Sequence, residues 1–282
     1  MNRWKIGDVT ITRVVEMETT SKATFVLKDG TPENIRTVPW LRPHFANDDG
    51  RVIMSVHAFV VESQGHRIVV DTSIGNDKRR AFPGWNMLQL PFLADLERSG
   101  FARGSIDHVL CTHLHVDHVG WNTMMAGGKW VPTFPRARYL IGRQEWTHWS
   151  KVDEGETPEI LADSVRPIFD AGLADLVESD MRVTGEIRLE PTPGHTPGHH
   201  SVRISSRGQE AVITGDLMHH PVQMAHPEWG SPFDSDYLQA IETRRAFLER
   251  YGDEPILVLG THFATPTAGK IVRDGCAWRF EV

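Results

Sequence analysis

Cysteine is scarce in this sequence, two in 282 residues. Neither Cys111 nor Cys276 has the spaced partner of a disulfide framework or a zinc knuckle, so a stapled scaffold is excluded. Cys111 reads as a small buried residue on the strand before a polar loop. No stretch approaches the roughly 18 consecutive apolar residues of a membrane span. The opening Met1 to Asp8 lacks the apolar core of a secretion signal, so the expectation is a cytoplasmic protein with no membrane partner. Lys and Arg are scattered through a chain of formal net charge −7, with no basic run longer than Lys78-Arg79-Arg80. The clustered basic face that nucleic acid requires is missing, which leaves a small molecule as the expected partner. No Gly-x-Ser-x-Gly turn offers a serine nucleophile, and there is no internal repeat or low-complexity tract.

Histidine, by contrast, is abundant, with 15 in the chain. His113-Leu-His115-Val-Asp117-His118 places four metal-binding side chains in six positions, directly after the apolar Val109-Leu110-Cys111. Three imidazoles and a carboxylate so close repel one another when charged and compete for water when neutral, but together they suit a borderline divalent cation. If the chain leaves a strand extended, His113 and His115 share a face and Val116 packs behind. Asp117 and His118 then sit at the bend, where they can turn toward a second position. Three other apolar runs end on a candidate ligand. Ile187 to Glu190 leads to His195 in a Gly/Pro-flanked turn, Ala211 to Gly215 leads to Asp216, and Ile256 to Thr261 leads to His262.

The order HxHxDH, then His, Asp and His, resembles the metallo-β-lactamase superfamily of hydrolases, and Ile68 to Gly75, with Asp71, is similar to that superfamily's first motif. The resemblance implies an α/β fold, an αββα sandwich of two mixed β-sheets flanked by helices. It implies one metal on His113, His115 and His195, a second on Asp117, His118 and His262, and Asp216 between them. Zinc suits such nitrogen and oxygen ligands; manganese, iron and cobalt suit them too. The chemistry implied is attack by a hydroxide held between two divalent ions, with Asp117 shuttling a proton. True metallo-β-lactamases generally lack the bridging aspartate, and the di-iron flavoproteins usually carry Glu where this chain has His115. The stretches Asp216 to Gln223 and Gly260 to Gly269 resemble the lactonase and methyl parathion hydrolase branch. One departure is His219, where many acyl-homoserine lactonases have tyrosine. The expected function is dinuclear metal-dependent hydrolysis of carboxylic esters or lactones. The alternatives are a phosphotriester hydrolase and, from another class, a mononuclear iron sulfur dioxygenase. Asp117, Asp216 and His219 are the expected catalytic residues. Trp121, Met124, His219 and Phe263 are expected against the substrate.

Alternation predicts a strand over residues 8–16, and a hairpin of 57–63 with 66–71 turning at Gln64-Gly65. Helices are predicted over 91–100, around Leu93 and Leu96, and over 235–251, with Leu238, Ile241, Phe247 and Leu248 inward. The chain is expected to form a single domain over 1–282. Residues 29–55, long and aperiodic, read as a self-packed surface loop, a substrate lid or a homodimer contact. Trp121, Met124, Met125 and Trp130 read as core or as an apolar wall. His57, His66, His108 and His148 read as surface or hydrogen-bonded core residues. His199 and His200 read as residues that orient neighbouring ligands. His219 and His220 fit a functional and a structural role about equally.

Overall fold

A computed structural model describes residues 3–282. Two mixed sheets carry the fold. The first has seven strands in the order Arg3–Ile6, Val9–Ser21, Val52–Ser63, His66–Val70, His108–Cys111, Arg138–Gly142 and Ala174–Val177. Its first four strands pair antiparallel and the rest parallel. The second has six, Ile187–Pro191, His200–Ser206, Gln209–Ile213, Ile256–Leu259, Ala268–Asp274 and Ala277–Glu281, with one parallel pairing between Gln209–Ile213 and Ile256–Leu259.

The period-two alternation of β-branched residues decides which face each strand buries. Ile68, Val70, Leu110 and Leu140 point to the shared interior, where they meet Leu189, Val202, Ile204, Ala211, Ile213 and Leu259 of the second sheet. Val69, Val109, Cys111, Tyr139 and Ile141 point the other way, onto Phe92 and Leu96 of the helix Phe92–Arg98 and onto Leu161, Val165 and Ile168. On the far side Val212, Ile256 and Val258 meet Phe247, Leu248 and Tyr251 of the helix Tyr237–Tyr251. Each such side chain removed from water contributes about 1.5–3 kcal/mol. Two sheets face to face with helices on both outer surfaces are the expected αββα sandwich.

The strand and hairpin expected near the N-terminus lie within Val9–Ser21, Val52–Ser63 and His66–Val70, and both expected helices are present. One inward residue is corrected, since Leu238 is 70% exposed. It lies about 200° around the helix from Ala240, and the buried stripe is Ala240, Ile241, Arg244, Phe247, Leu248 and Tyr251. Residues 29–55 are not a free loop. Ile35, Val38, Leu41, Phe45, Ala46 and Val52 are buried in the outer layer of the second sheet. Aromatic and branched residues without strand or helix periodicity fill that layer through a short helix, Pro32–Arg36, and a 3-10 turn, Pro39–Leu41.

Candidate metal centre

The loops that follow the strands His108–Cys111 and Gln209–Ile213, and those near His195 and His262, meet at one edge of the sandwich. The strand ends at Cys111, a bend carries His113, His115 follows in an extended conformation, and a single helical turn, Val116–Val119, carries Asp117 and His118. The His113 ring centroid is 4.7 Å from that of His115 and 4.0 Å from that of His118. His113, His115 and His195 form one group whose nitrogens all lie within 4.8 Å of one another; Asp117, His118 and His262 form another.

Asp216 stands between the two groups. Its Oδ2 lies 3.9 Å from His113 Nε2 and 3.6 Å from His195 Nε2 on one side. On the other it lies 3.3 Å from His118 Nε2 and 3.2 Å from His262 Nε2. Two ligands of one tetrahedral zinc, each about 2.1 Å from it, stand about 3.4 Å apart, so the spacing fits shared cations. The bonding inventory agrees. His113 Nε2, His118 Nε2 and Asp216 Oδ1 are buried without a hydrogen-bond partner, an arrangement that is costly unless a cation takes their lone pairs. The donor set therefore fits divalent metal.

Three of these rings are held from behind. His118 Nδ1 is 2.9 Å from Asp71 Oδ2, and the same carboxylate accepts the Thr112 N–H and hydroxyl. His262 Nδ1 donates to the Ser55 carbonyl at 3.0 Å, and His113 Nδ1 lies 3.1 Å from the Thr112 hydroxyl. These partners place the proton on Nδ1 and leave Nε2 to point into the centre. Gly215, at φ +58°, delivers Asp216; a Cβ there would fall 2.5 Å from His199 Nε2. That nitrogen accepts the Asp216 N–H at 2.8 Å, so His199 positions the aspartate through its backbone.

Burial, then the neighbouring imidazoles, holds His113 well below the usual histidine range. Burial likewise brings His115 down to about 4 and His199 to about 3. His118 and His262 go the other way. Burial opposes their charge, but Asp216 and Asp117, joined by Asp71 at His118, outweigh it and raise His262 to about 9 and His118 well above its usual value. The carboxylates at this side of the centre draw positive charge, as a cation site must.

Of the expected substrate residues, His219 alone faces this cluster directly, its Nε2 3.4 Å from Asp216 Oδ2. Trp121 and Phe263 are corrected. Trp121 is buried, stacked on Phe92, with its indole N–H given to Glu16 Oε1 at 2.7 Å; Phe263 is fully buried among Phe45 and Phe280. Phe263 has no exposed surface, and Trp121 is 5% exposed with its indole N–H already taken. Met124 lies on the hairpin Thr123–Ala126 and Lys129–Pro132, its sulfur 2.9 Å from Arg103 Nη1. His220 is structural, with Nε2 donating to the Phe45 carbonyl at 2.8 Å.

Several residues that support the centre carry no sequence motif. Glu16 sits at a β-bulge between Val15 and Met17, and its carboxylate accepts the Ile74 and Gly75 N–H groups. Fully buried Glu145 accepts the Leu114 N–H at 3.1 Å and the Gly198 N–H at 2.7 Å, joining two of the loops. Its Oε2 also takes the indole N–H of Trp149, whose half-buried ring lies 5.2 Å from that of His115. Asp234 backs His195. Only a period-breaking acid, as at residue 16 within an alternating strand, offered any signal in the sequence.

Residues 52–262 match the metallo-beta-lactamase superfamily. The chain belongs to that superfamily. A probable metallo-hydrolase of Mycobacterium tuberculosis is 24% identical over 255 residues, 79% of this chain and 78% of that one. An N-acyl homoserine lactonase of Bacillus cereus is 26% identical over 118 residues, 42% of this chain and 40% of the other. Among solved structures, AidC, a dizinc quorum-quenching lactonase, superposes with a TM-score of 0.79 at 21% identity, covering 99% of this chain and 96% of that one. Membership makes the chain a superfamily metallo-hydrolase with a divalent-metal centre. No helix among the described residues is long and apolar enough to cross a membrane.

Proposed function

We propose that the protein hydrolyses lactones and carboxylic esters with two divalent ions, zinc being the metal its ligands suit best. The observation that carries this reading is the position of Asp216 Oδ2, 3.2–3.9 Å from imidazoles of both groups. His113, His115 and His195 would hold one ion, Asp117, His118 and His262 the other, with Asp216 reaching both. When bound, such ions polarise a carbonyl oxygen and bring the pKa of water toward neutrality.

The chain's own residues then divide the remaining work. Asp117, with 11% of its side chain exposed against 4% for Asp216, is the carboxylate of the centre closest to solvent. Its Oδ2 is 3.5 Å from His262 Nε2, and the proton passed to the leaving alkoxide belongs on this group. His219 turns its Nε2 toward the centre, 3.4 Å from Asp216 Oδ2. A polar edge of that kind suits the ring oxygen or acyl oxygen of a bound ester. The substrate's apolar part would meet Trp149 beside His115. A second candidate is the partly exposed cluster of Phe25, Phe82, Trp85 and Phe233, whose Phe233 adjoins Asp234, the hydrogen-bond partner of His195. Partly exposed rings gathered from three separate segments favour an apolar acyl or aryl group over a charged one.

The test is a hydrolysis panel of lactones of graded acyl length, aryl esters, a phosphotriester and a β-lactam. The reading expects lactone or ester turnover to lead, with Phe233→Ala raising KM for long-chain substrates. Leading phosphotriester turnover would instead favour the organophosphate alternative. Sulfite formation from a persulfide under air, without hydrolysis, would replace the reading with the dioxygenase.

A further inference from the structure

We infer that Asp234 is a positioning residue of the metal centre, fixing His195 so that its Nε2 lone pair faces the ions. The inference rests on the proposed metal centre and goes beyond its ligand set. Asp234 has no exposed side-chain surface, and burying a carboxylate is costly unless each oxygen is spent on a partner. Oδ1 accepts from His195 Nδ1 at 2.9 Å; Oδ2 accepts the Ser231 N–H at 2.8 Å. With the proton on Nδ1, His195 has its lone pair on Nε2, the atom 2.8 Å from His115 Nδ1 and 3.6 Å from Asp216 Oδ2.

The surrounding backbone reinforces this bond. Ser235 N–H donates to the His195 carbonyl and Asp236 N–H to the Gly194 carbonyl, both at 2.9 Å. Behind Asp234 lies fully buried Arg244, its Nη2 4.0 Å from Oδ2 and otherwise without a partner. The same guanidinium donates to the Leu217 carbonyl at 2.9 Å, one residue past Asp216. One helix residue thus ties the aspartate that orients a ligand to the backbone beside the ligand between the two groups. Across the centre, Asp71 and His118 form the same carboxylate and imidazole pair at the same 2.9 Å. Ser231 and Arg244 alone would account for Oδ2, but Oδ1 is spent wholly on the ligand.

Asp234→Asn keeps the shape and the acceptor for Ser231, but turns an amide N–H toward His195 and drives its proton to Nε2. The experiment titrates the full chain with cobalt against a competing chelator and records histidine nitrogen NMR spectra. The expected result is a 10- to 100-fold loss of affinity at one of two metal positions with melting temperature nearly unchanged, and partial rescue by Asp234→Glu. The His195 signals should switch tautomer, a readout that needs neither metal nor turnover. Wild-type affinity at both positions, or equal loss at both with a matching fall in melting temperature, would overturn the inference. A tautomer switch in a chain that takes up no cobalt would uphold the positioning role and sink the metal reading instead.

Discussion

Among the described residues, the buried ionisable groups around Asp163 and those around Asp216 solve the cost of burial in opposite ways. In the first, Arg80 meets both oxygens of Asp163 at 2.7 and 3.0 Å. Lys78 Nζ donates to Thr123 Oγ1 at 2.8 Å and the Asp163 carbonyl at 3.1 Å, and lies 3.8 Å from the centre of the Trp130 ring. Burial brings that lysine down to about 8, but its partners are all protein groups. The second cluster, around Asp216, leaves imidazole nitrogens and a carboxylate oxygen unpartnered. The first network pairs its charges within the protein, and the atom it leaves unpartnered, Arg80 Nε, is a donor that cannot hold a cation; the second leaves acceptors open, which makes it a ligand set.

The largest break of this comparison is Asp216→Ala. Metal content should fall at both positions, and lactone hydrolysis should drop by roughly a hundred- to a thousandfold or more, while the chain stays folded because the sheet cores are untouched. Metal analysis, an activity assay and a thermal melt check the three parts. Asp163→Ala should do the reverse. Leaving Lys78 and Arg80 buried without their carboxylate costs about 3–5 kcal/mol, read by urea denaturation, with metal per folded chain unchanged. Metal loss in this variant without destabilisation would show that the two clusters are not distinct.

A smaller effect separates structural from metal-facing histidine. Burial holds His220 at about 4, so the unfolded chain takes up its proton first as pH falls. The stability tied to neutral His220 is complete above about pH 6.5 and lost as pH falls toward 4, on the order of 3 kcal/mol at most. His220→Gln should flatten that part of the pH–stability curve, measured by denaturant titration, at unchanged metal content. Smallest is His219→Phe, which should shift the ratio of kcat/KM between short and long lactones by about tenfold with both metals retained.

The open cluster was largely legible in the sequence and the closed one was not. HxHxDH packs its side chains into six positions, and each remaining expected ligand follows an apolar strand, so local spacing carried the information. Alternation likewise revealed the strands, and a helical stripe the helix Tyr237–Tyr251, apart from Leu238. Asp234 is 39 residues from His195, and Asp163 lies 85 residues from Lys78. Asp163 stands among Leu161, Ala162 and Val165, and Asp234 between Phe233 and Ser235; neither shows its partner until the fold brings it close. Trp121 and Phe263 misled for the complementary reason: nearness in sequence to a metal-binding loop does not say on which side of the chain a ring packs.

Metal stoichiometry of the wild-type chain, purified without added metal and then titrated with zinc, tests the central claim most directly. The account predicts saturation at two ions per chain. Saturation at one, or no uptake, would contradict the reading of Asp216 as a carboxylate shared between two metal positions.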